Sequence, residues 1–309
     1  MPRSFVVINP ASGAGKTAKR WPSLLKSFEH ATGRTFEHGL TSGPGDARRL
    51  VEKALTAGYD EILALGGDGT HHEAVSGFFD DDLRPLAPDA TFVPLASGTG
   101  SDYVRTLRAL GWYGDPLAVL TSPNRRSVSL GTYRCMAPEG EEVRGIFLNI
   151  LDVGLGASVV KVVNASSKSS GGFLTFFLGC LRVLFGYRPA TVQLTCDGEA
   201  HTLEQVRVVA VALGRYFGGG MHIAPSASPE GERFSTVILA GRNGWSLFNH
   251  APDIYLGTHL RSKISRQLEG TRLLLTSAET VELEVDGEPV GRLPLEVELR
   301  PRALWLKTL

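Results

Sequence analysis

The sequence has few cysteines, no excess charge of either sign and no long uninterrupted apolar run. Its 309 residues include three cysteines, Cys135, Cys180 and Cys196, which are widely spaced and form no C-x-x-C pair. An odd number of scattered cysteines argues against a disulfide framework or a zinc site and predicts a reducing compartment. The 32 basic and 32 acidic side chains cancel. Neutrality argues against broad nucleic-acid binding, because that affinity comes mostly from many Lys and Arg contacts to phosphates.

The apolar segments are short. Near the N-terminus only Phe5–Ile8 are apolar before a turn, so no signal peptide is indicated. The longest apolar stretch, Gly171 to Phe185, contains Arg182 and falls short of the roughly 20 residues that a membrane-spanning helix needs. We therefore expect no transmembrane segment and a cytoplasmic protein. Two interpretations of residues 172–185 remain: a buried helix, or one that lines an acyl-chain pocket or touches the bilayer surface.

Glycine is present in excess, with 36 residues and no G-X-Y period. In the first 110 residues, short apolar runs alternate with glycine-containing loops and segments of helical spacing. Four such units predict an α/β domain, a parallel sheet with flanking helices. The units are Phe5–Ile8 with Lys16–Phe28, Thr35–Leu40 with a helix from Asp46, Ile62–Leu65 with Thr70–Phe79, and Thr91–Leu95 with Ser101–Leu110.

The rest of the chain is rich in β patterns, and several runs alternate apolar and polar residues as antiparallel strands with one wet face do. We therefore predict a nucleotide-type α/β domain over residues 1–127 and a β-rich, sandwich-like domain over 128–309. Residues from about 301 to 309 are candidates to pack back on the first domain. The runs are Phe147–Leu151, Thr191–Thr195, Val206–Leu213, Phe234–Ala240, Arg272–Thr276, Val281–Val285 and Leu295–Leu299.

Three of the strand-to-helix loops are glycine-rich: Asn9–Lys16, Gly66–Thr70 and Ser97–Asp102. In an open α/β sheet ligands bind outside the carboxyl ends of the strands, so these loops should share one edge. Backbone N–H groups there hold phosphate oxygens without net positive charge. The first loop does not have the P-loop spacing, nor that of a dinucleotide-binding G-x-G-x-x-G.

Six motifs together resemble the diacylglycerol kinase-like lipid kinases, a family that includes sphingosine and ceramide kinases. The resemblance covers nearly the whole chain, although the G-G-D-G-T string alone is shared with NAD kinases and phosphofructokinases. The motifs are Asn9-Pro10-Ala11-Ser12-Gly13, Thr41 with Gly45-Asp46-Ala47, Leu65 to Glu73, Pro94 to Arg105, Gly218 to Pro225, and Val285 to Glu288.

The resemblance implies a G-G-D-G-T-type kinase with its active site in a cleft between two domains. ATP with Mg²⁺ would donate its γ-phosphoryl group to the hydroxyl of a diacylglycerol-like or sphingoid lipid. Asp68 would approach the phosphates through Mg²⁺ or water, because direct contact is repulsive; the alternative is a turn or capping residue. The residues implied to line the ATP site are Asn9, Pro10, Ala11, Ser12, Gly13, Thr41, Gly66, Gly67, Asp68, Gly69, Thr70, His71, His72, Glu73, Gly98, Thr99 and Asp102.

The resemblance also places the proton-accepting carboxylate at Glu288, with Asp286 as the second candidate or an orienting partner. From the residues alone, Asp286-Gly287 is an ordinary hairpin turn. A carboxylate buried there would have its pKa raised toward the working pH. Asp286, Glu288 and Asp68 are thus the expected catalytic residues.

The sequence departs from the family pattern in four places. Ser101 replaces Asn, His71-His72 replaces the commoner x-Asn, and Gly156 stands where many relatives carry an acidic residue thought to face the lipid head group. Glu230 and Ser235 replace two acids of a structural Mg²⁺ site, and Glu230 remains a candidate ligand. A Glu moves the ligand oxygens in a site that demands near-octahedral geometry.

Two other functions remain open from the sequence. An NAD kinase would share G-G-D-G-T but leaves Asn9–Gly13 and Asp286–Glu288 unexplained, and an inactive nucleotide- or lipid-binding regulator would explain the departures. The expected partner is a lipid at a membrane surface, with peripheral contact at the inner face, no nucleic acid, and a homodimer left open.

Overall fold

The computed structural model describes residues 2–97, 101–166 and 173–309. The chain divides into two compact units. The first unit consists of the residues up to Leu130 together with Arg300–Leu309, and the second unit of Gly131–Leu299. In the described ranges, no helix combines the length and the apolar character that crossing a membrane requires.

The first unit begins as four strands that alternate with helices, followed by a fifth helix. Its strands are β1 Ser4–Ile8, β2 Glu37–Leu40, β3 Glu61–Gly66 and β4 Thr91–Ala96; its helices are α1 Lys16–Thr32, α2 Asp46–Thr56, α3 Asp68–Ser76, α4 Asp102–Ala109 and α5 Pro116–Thr121.

The sheet of the first unit is parallel, in the order β2-β1-β3-β4. Every residue of β3 is buried, which is the continuous apolar pattern of a parallel strand covered on both faces. The carboxyl ends of β1, β3 and β4 therefore lie at one edge, and the three glycine-rich loops begin there. This confirms the predicted α/β fold and the common edge of the loops.

Helix α1 shows how local sequence sets the boundaries. It begins after Gly15 (φ 77°) and ends at Gly33 (φ 66°), and the N–H of Gly33 donates to the carbonyl of Glu29. Glycine takes these left-handed conformations without a Cβ penalty. Trp21 and Phe28 bury the inner face of the helix.

The second unit is mostly antiparallel and, in the residues that the structure describes, also contains four α-helices. Its strands are β5 Arg125–Met136, which starts in the first unit, β6 Glu142–Phe147, β7 Ile150–Gly154, β8 Ala190–Cys196, β9 Glu199–Ala212, β10 Phe234–Ala240, β11 Ser265–Gly270, β12 Arg272–Ser277, β13 Glu282–Val285 and β14 Glu288–Lys307; its helices are α6 Leu155–Ser166, α7 Phe173–Gly186, α8 Gly244–Asn249 and α9 Ala251–Leu256.

Strand pairs in the second unit close into a ring, β9-β7-β13-β14-β12-β8 and back to β9. One apolar cluster contributed largely by these strands includes Val192, Val211 and Leu295. A second cluster packs Val208 and Ala210 of β9 against side chains of helices α6 to α9. The predicted β-rich, sandwich-like domain is confirmed.

The last strand, β14, belongs to both units. Its early part pairs with β13 and β12, and its end pairs in parallel with β4, Trp305 opposite Thr91. Lys307 also contacts the buried Glu61.

Two sequence expectations differ from the structure. The run Phe147–Leu151 is not one strand, because the chain leaves the sheet at Leu148 and Asn149, whose amides bind a carboxylate instead. The alternation in Val281–Val285 does not mark a wet face at Glu284, which is only 4% exposed. Strand β13 is paired on both edges, by β7 and by β14, and α6 packs against it.

Candidate active site

Side chains tie the three glycine-rich loops of the first unit together. The Asn9 amide donates to the hydroxyl of Thr70 over 3.0 Å, which links the loop Asn9–Lys16 (the first loop) to the loop Gly66–Thr70. The hydroxyls of Thr17 and Ser97 are bonded, which links the start of α1 to the beginning of the loop Ser97–Asp102. The loops therefore form one connected structure at the sheet edge.

The first loop has an unusual backbone. Gly13, Ala14 and Gly15 all have positive φ, at 59°, 56° and 77°, and the turn before them is held by Asn9. The Asn9 side-chain oxygen accepts from the amide of Ala11 at 3.0 Å, and the Ser12 hydroxyl donates to the Asn9 carbonyl at 2.7 Å. Consecutive left-handed residues favour glycine, which accounts for two of the three.

Asp68 is held by the N-terminus of α4. One carboxylate oxygen accepts from the amide of Asp102 at 2.9 Å, and the other accepts from the Ser101 hydroxyl at 2.9 Å and the Tyr103 amide at 3.3 Å. Amides at a helix start lack partners within their own helix and carry partial positive charge. Three of roughly four acceptor positions of the carboxylate are thus occupied, and its orientation is set before any ligand arrives.

The packing around Asp68 requires small residues at positions 66 and 101. A Cβ on Gly66 would lie 2.4 Å from the Thr70 side chain, so only glycine lets α3 turn back this closely. Ser101, the residue that departs from the family, caps α4 by accepting from the Val104 amide while it donates to Asp68. Its short side chain serves both bonds.

His71 and Glu73 turn away from the loop surface. His71 is fully buried; its ring contacts the Ala64 carbonyl and the Ser101 hydroxyl, and burial lowers its pKa. Glu73 accepts from the amides of Gly45 and Ala47, at 2.8 and 3.1 Å, and so caps α2. The His71 side chain therefore contacts the start of α4, and the Glu73 side chain holds the start of α2.

The other residues expected at the ATP site fall into three groups. Gly98 and Thr99 lie outside the described residues. Asp102 is buried, with one oxygen 3.5 Å from the Arg105 side chain, while His72 is half-buried. The Thr41 amide donates to the Ile8 carbonyl, which places Thr41 where β2 ends, beside the first loop.

In the second unit, Asp286 and Gly287 form a two-residue turn between β13 and β14. Their φ values are 50° and 91°, the left-handed pair that this kind of hairpin turn requires. The Asp286 carboxylate accepts three buried backbone amides, from Leu148, Asn149 and Ile150, at 3.0–3.1 Å. Asp286 therefore fixes the turn, and Glu288, which follows it, is exposed rather than buried as the sequence suggested.

Comparison with known proteins agrees with these features. The model of the diacylglycerol kinase catalytic domain matches residues 3–133, and that of the YegS C-terminal NAD kinase beta sandwich-like domain matches residues 149–308. A diacylglycerol kinase of Bacillus subtilis (strain 168) is 29% identical, covering 96% of this chain and 93% of its own. A protein of Pseudomonas savastanoi pv. phaseolicola (strain 1448A / Race 6), named "Probable lipid kinase YegS-like", is 31% identical over 86% and 81% of the two chains.

The chain belongs to the diacylglycerol kinase and YegS-like lipid kinase family. Its fold is also that of a crystal structure of a diacylglycerol kinase from Bacillus anthracis str. Sterne, with a TM-score of 0.71 at 18% identity, covering 100% of this chain and 97% of that one. Membership of this kinase family implies that ATP is used.

At the position of the family's structural Mg²⁺ site, this lipid kinase family member has a neutral network. The Gln267 amide donates to the hydroxyls of Ser226 and Ser235, at 2.7 and 3.2 Å, and Glu230 is exposed. An amide nitrogen, which repels a cation, points at the oxygens a cation would need. In the described part of the chain no three His, Cys, Asp or Glu side chains are grouped to hold a metal. The residues present do not fit that ion.

The sequence analysis missed a buried pair of acids behind the Asp286 turn. Asp152 of β7 is paired directly across from Glu284 of β13, and both are buried. Burial raises the pKa of Asp152 to about 7 and, together with the neighbouring Asp152, raises the pKa of Glu284 well above its ordinary value. Glu284 accepts from the Gly287 amide at 2.6 Å, so this pair supports the turn.

Asp152 also explains the departure at Gly156. A Cβ at position 156 would lie 1.8 Å from a carboxylate oxygen of Asp152. The Asp152 carboxylate thus fills the space that a side chain at position 156 would need. An acid inside the otherwise apolar run Ile150–Gly154 was the signal in the sequence.

Proposed function

We propose that this protein is an ATP- and Mg²⁺-dependent lipid kinase that transfers a γ-phosphoryl group to the hydroxyl of a diacylglycerol-like or sphingoid lipid. The observation that carries the proposal is the connected edge of the first unit, where three loops end beside the starts of α1, α3 and α4 in a chain of this family. Backbone amides at glycine-rich loops and at helix starts suit the phosphates of a nucleotide.

Residue roles follow from the hydrogen bonds. Asn9, Ser12 and Gly13 shape the loop whose backbone would contact the phosphates, and Asp68 stands beside it with a fixed orientation. When bound with ATP, Mg²⁺ would offset phosphate charge. Asp68 would meet that ion through water, because three of its acceptor positions are already engaged.

Glu288 is our choice for the proton acceptor and Asp286 for the residue that orients it. Asp286 uses its carboxylate on three backbone amides, which suits a positioning role and not proton transfer. A general base must lie within reach of the hydroxyl it deprotonates, and an exposed Glu288 is accessible to an incoming substrate.

The test is to incubate the purified protein with γ-labelled ATP and Mg²⁺ and one acceptor at a time: diacylglycerol, monoacylglycerol, sphingosine, ceramide or NAD. Label in an organic-phase product from one of the lipids is the expected result. Labelled NADP would replace the proposal with an NAD kinase, and no labelled product with any acceptor would favour a non-catalytic regulator. The Glu288→Gln variant, run in parallel, separates this activity from a contaminating kinase.

A further inference from the structure

Helices α7, α8 and α9 of the second unit carry an exposed apolar surface. Six of the ten large exposed hydrophobic side chains in the described ranges lie on these three helices. They are Leu178 (55% exposed), Phe185 (41%), Trp245 (57%), Phe248 (41%), Tyr255 (54%) and Leu256 (72%). We call these six residues the aromatic surface.

Part of this surface is a contiguous cluster. The rings of Phe185, Trp245 and Phe248 lie within 4.9–6.0 Å of one another, centroid to centroid. Leu178 is seven residues before Phe185, about two helical turns, so both lie on one face of α7. A contiguous exposed apolar patch on a folded domain usually marks a binding surface.

The inner faces of the same helices pack on the core, buried on α8 and α9 and partly buried on α7, so the exposure is not due to loose packing. Val183 and Leu184 of α7, Leu247 of α8 and Ile254 of α9 pack on the strands of the second unit. Each of the three helices therefore has an inner apolar face that packs on the core and apolar side chains that point outward.

A buried arginine fixes the geometry. Arg207 is 1% exposed and donates to the carbonyls of Leu184, Gly241 and Arg242, at 3.1, 2.8 and 3.4 Å. It joins the end of α7 to the residues before α8. Gly244 permits the close approach, since a Cβ there would be 2.6 Å from the Phe185 ring.

The chain segments that carry the aromatic surface contain mostly basic charged residues. The ranges 178–188 and 242–263 contain one acidic residue, Asp253. The basic side chains are exposed, and none is ion-paired with a carboxylate in the part of the chain that the structure describes. They are Arg182, Arg188, Arg242, Arg261 and Lys263.

We propose that the aromatic surface and these five basic residues dock the protein on a bilayer that contains anionic lipid. Aromatic and leucine side chains suit the boundary between head groups and acyl chains, and Lys and Arg beside them suit anionic head groups. The excess of five bases over one acid in a chain of zero net charge selects a negative partner. The choice of a membrane as that partner rests on the proposed lipid kinase function.

The experiment measures binding to vesicles without ATP or an acceptor lipid. Trp245 is the probe, because it is the only one of the four tryptophans that is exposed. Phosphatidylglycerol vesicles should shift its emission to the blue and sediment the protein, and phosphatidylcholine vesicles should do so weakly. Added salt should weaken binding, since exposed charges are screened.

Variants locate the surface. Phe248→Asp and Leu256→Asp should each reduce partitioning about tenfold, and the double variant Arg261→Glu/Lys263→Glu should reduce it only on anionic vesicles. The matched controls are Leu274→Asp, an exposed leucine of β12 in the same unit, and Lys26→Glu of α1. Thermal melts confirm that each variant is folded.

The outcomes separate this proposal from the proposed function. Phosphorylation of a lipid dispersed in detergent micelles without vesicle binding would overturn the docking surface alone. Vesicle binding without kinase activity would leave docking and overturn the function. If the aspartate variants convert a dimer to a monomer and leave vesicle binding unchanged, the surface is instead a contact between two copies of this chain.

Discussion

The two units place their acidic residues in opposite electrostatic surroundings. In the first unit, Asp68 and Glu73 each accept backbone amides at the start of a neighbouring helix. In the second unit, Asp152 and Glu284 lie against each other inside the sheet, and burial raises both pKa values. Asp286 combines features of both, since it is buried and yet bound by three amides.

A carboxylate in this fold is therefore either held by backbone amides at a helix start or buried beside a second acid, which raises its pKa. Amides at helix starts stabilise a charged carboxylate, which suits a unit that would organise phosphates and metal. A carboxyl pair in a low-dielectric interior resists ionisation. That pair supports the turn that precedes Glu288, and the raised pKa values mean that it carries less negative charge than two exposed acids would.

The largest expected effect concerns Glu288. Glu288→Gln should lower kcat about a hundredfold to ten-thousandfold, because it removes the proton acceptor. The dissociation constant for ATP, measured by calorimetry, should stay unchanged. A Glu288→Gln enzyme with full turnover would contradict the assignment, and Glu282→Gln, a nearby exchange of the same type, is the control.

Asp286 is expected to contribute to stability as well as to activity. Asp286→Ala leaves three buried amides without an acceptor, and we expect the free energy of unfolding in urea to fall by about 3 kcal/mol or more. Asp286→Asn tolerates the positive φ and keeps one acceptor oxygen. Its free energy of unfolding should therefore lie between those of the wild type and Asp286→Ala. Equal stability of the wild type and the alanine variant would refute the anchoring role.

Asp152 should make stability depend on pH. Below pH 4 the carboxyl is protonated in both the folded and the unfolded chain. Between that pH and about 7, only the unfolded chain releases the proton, so folding loses up to about 1.4 kcal/mol per pH unit. Asp152→Asn removes this loss, and its stability relative to the wild type should rise by about 2 kcal/mol from pH 5 to pH 7. Parallel melting curves for the two proteins across this window would argue against the buried acid.

The close contact between Asp152 and Gly156 can be tested by comparing single and double variants at the two positions. Gly156→Ala should destabilise the protein by about 2 kcal/mol, because the new Cβ overlaps the carboxylate. In an Asp152→Ala background the position is open, since the Asp152 Cβ lies 3.6 Å away. The double variant should therefore unfold at higher urea than Gly156→Ala alone; additive losses would show that the two side chains do not compete for space.

The smallest effect is expected from metal removal. Because Gln267 bonds Ser226 and Ser235 without a cation, EDTA should shift the melting temperature of the ATP-free protein by less than about 1 °C. A large EDTA-induced shift that Mg²⁺ reverses would restore the structural ion that Glu230 was expected to bind. Gln267→Ala tests the network itself and should lower the melting temperature.

The sequence predicted the architecture because it depends on patterns spread over many residues. Apolar runs between glycine loops located four parallel strands, and the Asp286-Gly287 pair located a hairpin turn. The buried states of Glu284 and His71 could not be predicted in this way. Each depends on a neighbour distant in sequence: β7 pairs across from Glu284, and Ser101 meets the ring of His71.

The sequence predicted which residues lie at the candidate site better than it predicted what each of them does. Asp68 was considered both as a phosphate-facing acid and as a cap, and the structure shows it capping α4, a helix 34 residues later in the chain. Asp152 was missed because a single acid in an apolar run carries no motif. Helices α8 and α9 were missed because six residues are too few to show a helical period.

Strand β14 has a consequence for how the protein is made. The first unit needs Arg300–Leu309, whose Trp305 and Leu306 pair with β4. During synthesis on the ribosome, the first unit therefore cannot pair β4 with the end of β14 until the whole second unit has been synthesised. During that interval β4 presents an unpaired edge, because the strand that pairs with it follows the second unit in the chain.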